Sequence, residues 1–223
     1  MPLLTELYRT FLIDWDGTLA NTIGVWLDLL VETYAEYGKY PEPSFLMEKS
    51  FGNWDAPKEF GIENVDEFNS HLFSKVDAKF STAPLFPTSK QLLSELKQQQ
   101  KQLALITSNV RSVIDAALEH HQLTGVFDLI ISSDDVSEHK PDPEGIHAAI
   151  KALGAEPAST VMVGDSSNDV LAGKAAGIRT VLLYPDVHRQ IYSPGYIDSL
   201  NADHVLSHPA DVLTLKVDVT SSA

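Results

Sequence analysis

Five short runs dense in Ile, Val and Leu punctuate the chain: Thr10–Asp14, Leu103–Thr107, Phe127–Ser132, Thr160–Gly164 and Arg179–Leu183. They are continuously apolar rather than alternating, the pattern of parallel strands covered on both faces. Between the last four lie helical patterns at Ser112–His120, Glu144–Leu153 and Asp169–Ala176, with Gly154 and Gly177 where a helix end needs a left-handed residue. Strand and helix in alternation predict a doubly wound, Rossmann-like α/β sheet.

The interval from the first run to the second is far longer than a normal crossover. Within it Ile23, Trp26, Leu27, Leu30 and Tyr34 fit one helical face, and Phe68, Leu72, Val76 and Phe80 recur every four residues to fit another. Pro84 and Pro87 mark the return, and Ser89–Gln98 reads as a further helix. The expected organisation is a core of residues 1–19 and 85–223 and a small α-helical cap of residues 20–84. The cap is inserted at the C-terminal end of the first strand, where open α/β sheets bind ligands.

Composition narrows the function. At 223 residues, 43% hydrophobic and 21% charged, the chain reads as ordinary globular protein. No segment approaches the ~18 apolar residues of a membrane span, and Glu6 precedes any apolar run that could serve as a secretory signal. The absence of cysteine excludes disulfides and thiolate metal sites. A cytoplasmic protein is expected, monomeric or homodimeric, with no membrane partner. A formal net charge of −15 repels polyanions, so nucleic acid is not expected as a partner. A small anionic substrate would need a local cation to reverse that field.

Candidate chemistry gathers at the strand ends. Asp14-Trp15-Asp16-Gly17-Thr18 follows the first strand; strand geometry sends Asp14 and Asp16 to one side and Trp15 to the other. An Asp-Gly turn can simply end a strand, but two carboxylates so placed repel unless a cation or a proton separates them. Gly164-Asp165-Ser166-Ser167-Asn168-Asp169 follows the fourth strand and opens a helix. Asp, Ser and Asn are ordinary caps there, yet oxygen donors converging from two strand ends also suit Mg²⁺. Thr107-Ser108-Asn109 closes the second strand, either as a helix cap or as a receptor for phosphate oxygens. Lys140 stands in His139-Lys140-Pro141-Asp142-Pro143, either a solvated lysine or a cation held in place by two prolines.

The order Asp-x-Asp-Gly-Thr-Leu, strand-Thr-Ser-Asn, Lys-Pro-Asp-Pro and Gly-Asp-Ser-x-x-Asp resembles the haloacid dehalogenase-like superfamily over about Thr10 to Leu213. The resemblance is strongest to its phosphoglycolate phosphatase-like and β-phosphoglucomutase-like branch, which carries a helical cap. It implies a phosphoric monoester hydrolase acting on a small-molecule phosphate ester: phosphoglycolate, a sugar phosphate or a nucleotide monophosphate. In this resemblance Asp14 is the nucleophile that forms an aspartyl-phosphate and Asp16 the acid and base. Thr107 and Lys140 hold the phosphoryl group, with help from the backbone around Ser108 and Asn109. Mg²⁺ is bound by Asp14, the Asp16 carbonyl and Asp165, with Asp169 supporting directly or through water.

Asn21 and Thr88 depart from the family pattern at positions without chemistry. Asp16 disfavours carbon–halogen and phosphonate chemistry, whose enzymes lack that second Asp. Gly164 disfavours the sugar-phosphate mutases, which tend to have Glu there. A β-phosphoglucomutase-like mutase is the competing enzyme. A phospho-Asp signalling module is the competing non-enzyme, and the helical insertion argues against it. The eight histidines are scattered, with His120 and His121 on different helix faces and His139 expected at the surface. Gly173-Lys174 lacks the rest of a phosphate-binding loop. Phe51-Gly52-Asn53-Trp54, in the expected cap, could grip a leaving group or pack a core.

Overall fold

The computed structural model describes residues 1–50 and 55–218. The Phe51–Trp54 loop therefore lies outside the described residues. Six parallel strands, β1 (Thr10–Ile13), β2 (Gln102–Ile106), β3 (Leu129–Ile131), β4 (Thr160–Gly164), β5 (Arg179–Leu183) and β6 (His204–Leu206), form one sheet in the order β3-β2-β1-β4-β5-β6. Pairing Phe11 with both Leu103 and Val161 sets the central register, which turns alternate residues to opposite faces. Phe11, Ile13, Leu103, Leu105, Val161 and Val163 join one buried cluster, while Leu12, Ala104, Ile106 and Met162 join another. Both faces are covered, as the unbroken apolar runs require.

The core helices are α5 (Ser89–Gln98), α6 (Arg111–His120), α7 (Glu144–Leu153) and α8 (Ser167–Ala175). Gly154 and Gly177 adopt φ of +60° and +69° at the ends of α7 and α8, as expected. Two strand expectations need correction. The third strand is shorter than Phe127–Ser132, and a sixth strand exists. β6 is a three-residue edge strand with Val205 45% exposed, too short and too wet to leave an apolar run.

Between β1 and β2 lie α1 (Thr22–Glu36), α2 (Pro43–Ser50), α3 (Val65–Phe73) and α4 (Val76–Phe80). Asn21 caps α1, its Oδ1 accepting from Gly24 N. Trp26, Leu29, Leu30, Tyr34, Leu46, Ile62, Phe68 and Leu72 form a buried cluster of their own. Burying each large member is worth about 1.5–3 kcal/mol, so the insertion carries its own source of stability. The single face expected through Phe68, Leu72, Val76 and Phe80 is broken. Ser74 Oγ donates back to the His71 carbonyl at 2.6 Å and ends α3, and α4 begins two residues later. Leu85 and Phe86 return the chain beside Ala20 and Leu19. Among the described residues no helix is long and apolar enough to cross a membrane.

Candidate active site

The strand order reverses direction between β1 and β4, and the crevice beyond their C-terminal ends is the place for a ligand. A cavity of about 540 Å³ opens there. Asp14 and Asp16 both line it, while Trp15 is 1% exposed and points away, its ring 6.2 Å from that of His121. Turning the chain so sharply after β1 needs Gly17 at φ +76°; a Cβ there would lie 2.1 Å from Asp165 Oδ2. Gly17 thus lets the β1 turn and the β4 carboxylate come together.

Asp14, Asp165 and Asp169 each offer a carboxylate oxygen within 4.8 Å of the others. Thr18 Oγ1 lies 3.2 Å from Asp14 Oδ2 and 3.4 Å from Asp165 Oδ1, joining the two strand ends. Lys140 reaches in from the loop before α7 with its side chain 8% exposed. Its ammonium donates to Asp14 Oδ1 at 2.7 Å, Asp169 Oδ1 at 2.6 Å and the Ile106 carbonyl at 2.9 Å. Three acceptors match the three N–H donors of an ammonium. Lysine is therefore a fixed charge here, not a solvated one. Asp169 is a helix cap, its Oδ2 accepting from Ser166 N and Oγ in a capping box, and its Oδ1 also anchors Lys140.

Charge is unbalanced in this space. Burial pushes the Asp14 carboxyl up to about 7; Lys140 opposes the shift, and Asp169 and Asp16 add to it. Burial likewise raises Asp165, with Asp14 and Asp169 adding to the effect. Burial alone would lower Lys140, but Asp14 and Asp169 outweigh it and its proton is held tightly. Four carboxylates facing one ammonium form a pocket of excess negative charge, and the donors are hard oxygens. That set fits a divalent cation of the Mg²⁺ type. The carboxylate of Asp16 stands outside the three-acid cluster. Its Oδ2 accepts from Asn109 Nδ2 at 3.3 Å, and its Oδ1 is enclosed without a hydrogen-bond partner. Burial raises its pKa, against the opposing effects of Asn109 and Lys140.

The β2 segment differs from expectation. Ser108 and Asn109 line the cavity, but Thr107 does not. Thr107 Oγ1 instead accepts from Asn109 N at 3.1 Å, folding the loop so that Asn109 meets Asp16. Nor does this triplet cap α6, which starts after Val110; Asp134 accepts from Arg111 N in that role. Asn21 and Thr88 do structural work, Thr88 Oγ1 accepting from Ala210 N. His139 is exposed, as expected.

Residues matching amino acids 11–183 fit the family model described as haloacid dehalogenase-like hydrolase. The chain belongs to that family. Pyrophosphatase PpaX of Halalkalibacterium halodurans is 31% identical to this hydrolase over 213 residues, covering 93% of this chain and 96% of the relative. A bifunctional riboflavin kinase/FMN phosphatase of Arabidopsis thaliana is 31% identical over 217 residues, covering 94% of this chain and 55% of the plant protein. The HAD family hydrolase of Deinococcus radiodurans R1 shares the fold with a TM-score of 0.80 at 20% identity, over 92% of this chain and 93% of that one. The expected phosphoric monoester hydrolase is consistent with both names, since each relative is named for hydrolytic removal of a phosphoryl group.

Three features of this hydrolase carried no motif. His188, in the turn after β5, is fully buried, with neither ring nitrogen hydrogen-bonded and Nδ1 3.7 Å from Asp165 Oδ2. Tyr192 lines the cavity nearby. Trp26, Phe73 and Phe80 supply aromatic surface from the insertion. Helical periodicity placed Trp26 and Phe80 on apolar faces, which is equally the signature of a core.

Proposed function

We propose that this hydrolase is a Mg²⁺-dependent phosphatase of a small-molecule phosphomonoester, acting through an aspartyl-phosphate on Asp14. The observation that carries the reading is the position of Asp14, at the cavity floor with Lys140 on one oxygen and Asp16 two residues further along the same wall.

In the first step an Asp14 oxygen attacks phosphorus and the ester P–O bond breaks, the leaving oxygen taking a proton from Asp16. The raised pKa of Asp16 favours the protonated form that this step needs. In the second step the Asp16 carboxylate takes a proton from water, whose oxygen attacks phosphorus and releases inorganic phosphate and Asp14. Lys140 places a permanent positive charge beside the transferring group, and Ser108 and Asn109 border it. Thr107 contributes by holding the backbone of Asn109. Mg²⁺ would be held by Asp14, Asp165 and the Asp16 carbonyl, with Asp169 supporting, and when bound it neutralises charge on the phosphoryl oxygens. Residues 20–84 are proposed as a cap over this floor, resting on a core of residues 1–19 and 85–223.

Gly164 supports hydrolysis over sugar-phosphate mutation. A Cβ there would lie 2.2 Å from Asp169 Cγ, so the Glu typical of mutases would displace the anchor of Lys140. The test is to incubate the protein with Mg²⁺ and a panel of phosphate esters and assay free phosphate. Isomerised sugar phosphate without phosphate release would replace this reading with a mutase. Phosphorylation of Asp14 that persists without turnover would replace it with a signalling module.

A further inference from the structure

We propose that the leaving group of the substrate is a planar aromatic body without charge of its own, rather than a small anion or a sugar. The inference rests on the phosphatase reading above and concerns the upper half of the same cavity. Its wall above the carboxylates is formed by Ile23, Trp26, Phe73, Val76, Phe80 and Tyr192. The indole of Trp26 lies between two phenyl rings, 5.9 Å from Phe73 (tilted) and 5.9 Å from Phe80 (edge-on). Phe73 borders the cavity and is 46% exposed. A half-exposed phenyl backed by a buried indole, 8% exposed, offers a surface on which a flat ring stacks.

The charge on the wall points the same way. Among the described residues that line the cavity, Lys140 is the only cation, and its three N–H groups are committed to the floor. Nothing described on the upper wall could balance a second phosphate or a carboxylate on the leaving group. Desolvating such an anion against Trp26 and Phe73 would cost several kcal/mol. Size agrees as well. A volume of about 540 Å³ lies inside the range of roughly 300–1,000 Å³ used for drug-sized ligands. Glycolate or phosphate as leaving group would leave much of that apolar space to water.

The experiment compares kcat/KM, with Mg²⁺ present, for FMN, pyridoxal 5′-phosphate and AMP against 2-phosphoglycolate, inorganic pyrophosphate and glucose 6-phosphate. Acetyl phosphate serves as an activated acyl phosphate, a mixed anhydride, that tests Asp14 chemistry without help from the upper wall. At least one aromatic ester is expected to exceed every member of the second group by about 100-fold. In Phe73→Ser, at a half-exposed position, that preference is expected to fall at least 10-fold. Hydrolysis of acetyl phosphate without a preference for aromatic esters overturns this inference and leaves the phosphatase reading standing. A preference that survives both Phe73→Ser and Trp26→Leu overturns it too. No hydrolysis of any compound overturns the phosphatase reading and this inference with it.

Discussion

The floor and the upper wall of the cavity are built by different physics. The floor is a set of charges: Asp14 after β1 and Asp165 after β4, located by backbone pairing in the sheet, with Lys140 brought beside them by the loop before α7. The wall is a set of rings placed by helix packing, with Trp26 and Phe80 sharing the cluster that holds α1, α3 and α4 together. Floor residues are fixed in identity, because only a carboxylate or an ammonium performs its task and each is costly to bury unpaired. Wall residues are fixed only in being large and apolar. Under the proposed function, the bond broken is a property of the floor and the molecule chosen a property of the wall. Substitutions at the two places should therefore fail in different ways.

The largest effect is expected at the centre of the floor. Asp14→Asn keeps the shape and removes the proposed nucleophile, so turnover of every ester should fall together, by about 10⁴-fold or more. Circular dichroism should show the fold retained. Substantial Mg²⁺-dependent turnover in the pure variant would sink the assignment of Asp14.

Lys140→Met comes next. It leaves Asp14 and Asp169 without their shared cation, and removing one partner of a buried pair costs about 3–5 kcal/mol. Chemical denaturation without metal should show that loss, and kcat should fall by about 10³-fold. Metal should recover part of the stability but little of the rate. An unchanged midpoint would mean that the ammonium is not the counter-charge of the floor.

Gly17→Ala tests how closely the two strand ends must meet. At φ +76°, a Cβ only 2.1 Å from Asp165 Oδ2 must move that carboxylate. Backbone strain of roughly 1–3 kcal/mol is expected, with a fall in kcat of about 100-fold from misplacement alone. Equal loss across aromatic and sugar esters would mark it as a floor defect. A change in preference would break the division between floor and wall.

The same division explains what could be read from sequence. Asp14, Asp16, Lys140, Asp165 and Asp169 lie in short local motifs whose order carried the family resemblance, and the fold brings all five to one cavity. The strands β1, β2, β4 and β5 were legible because burial on both faces leaves no polar interruption. β6 was not, since a three-residue edge strand with an exposed centre carries no such run. The break between α3 and α4 escaped because aromatic residues continue in step across Ser74, whose back-bond to His71 is invisible to periodicity. The resemblance implies that Thr107 holds the phosphoryl group; only the fold shows its hydroxyl accepting from Asn109 N instead of lining the cavity. The apolar wall itself was hidden in plain view, since a ring that lines a cavity and one that fills a core have the same pattern.

His188 marks the seam between the two regions and gives the smallest expected effect. It is fully buried beside Asp165, 6.0 Å edge-on to Phe86 and 6.5 Å edge-on to Tyr192. Burial pushes its pKa down from the ordinary 6.5 to about 4. As pH falls below 6.5 the unfolded chain takes up the proton first, so the contribution of this residue to stability is complete above 6.5 and is lost as pH drops toward 4. Between pH 7 and pH 5 the loss is about 2 kcal/mol. Replacing His188 with Phe removes the titrating ring, so the variant should lose less stability than the parent over that interval, in denaturation measured at saturating Mg²⁺. The difference between the two proteins cancels titrations they share. Parallel pH profiles would show that His188 gains a partner in solution that shields its proton from the floor, and the seam would then be polar rather than dry.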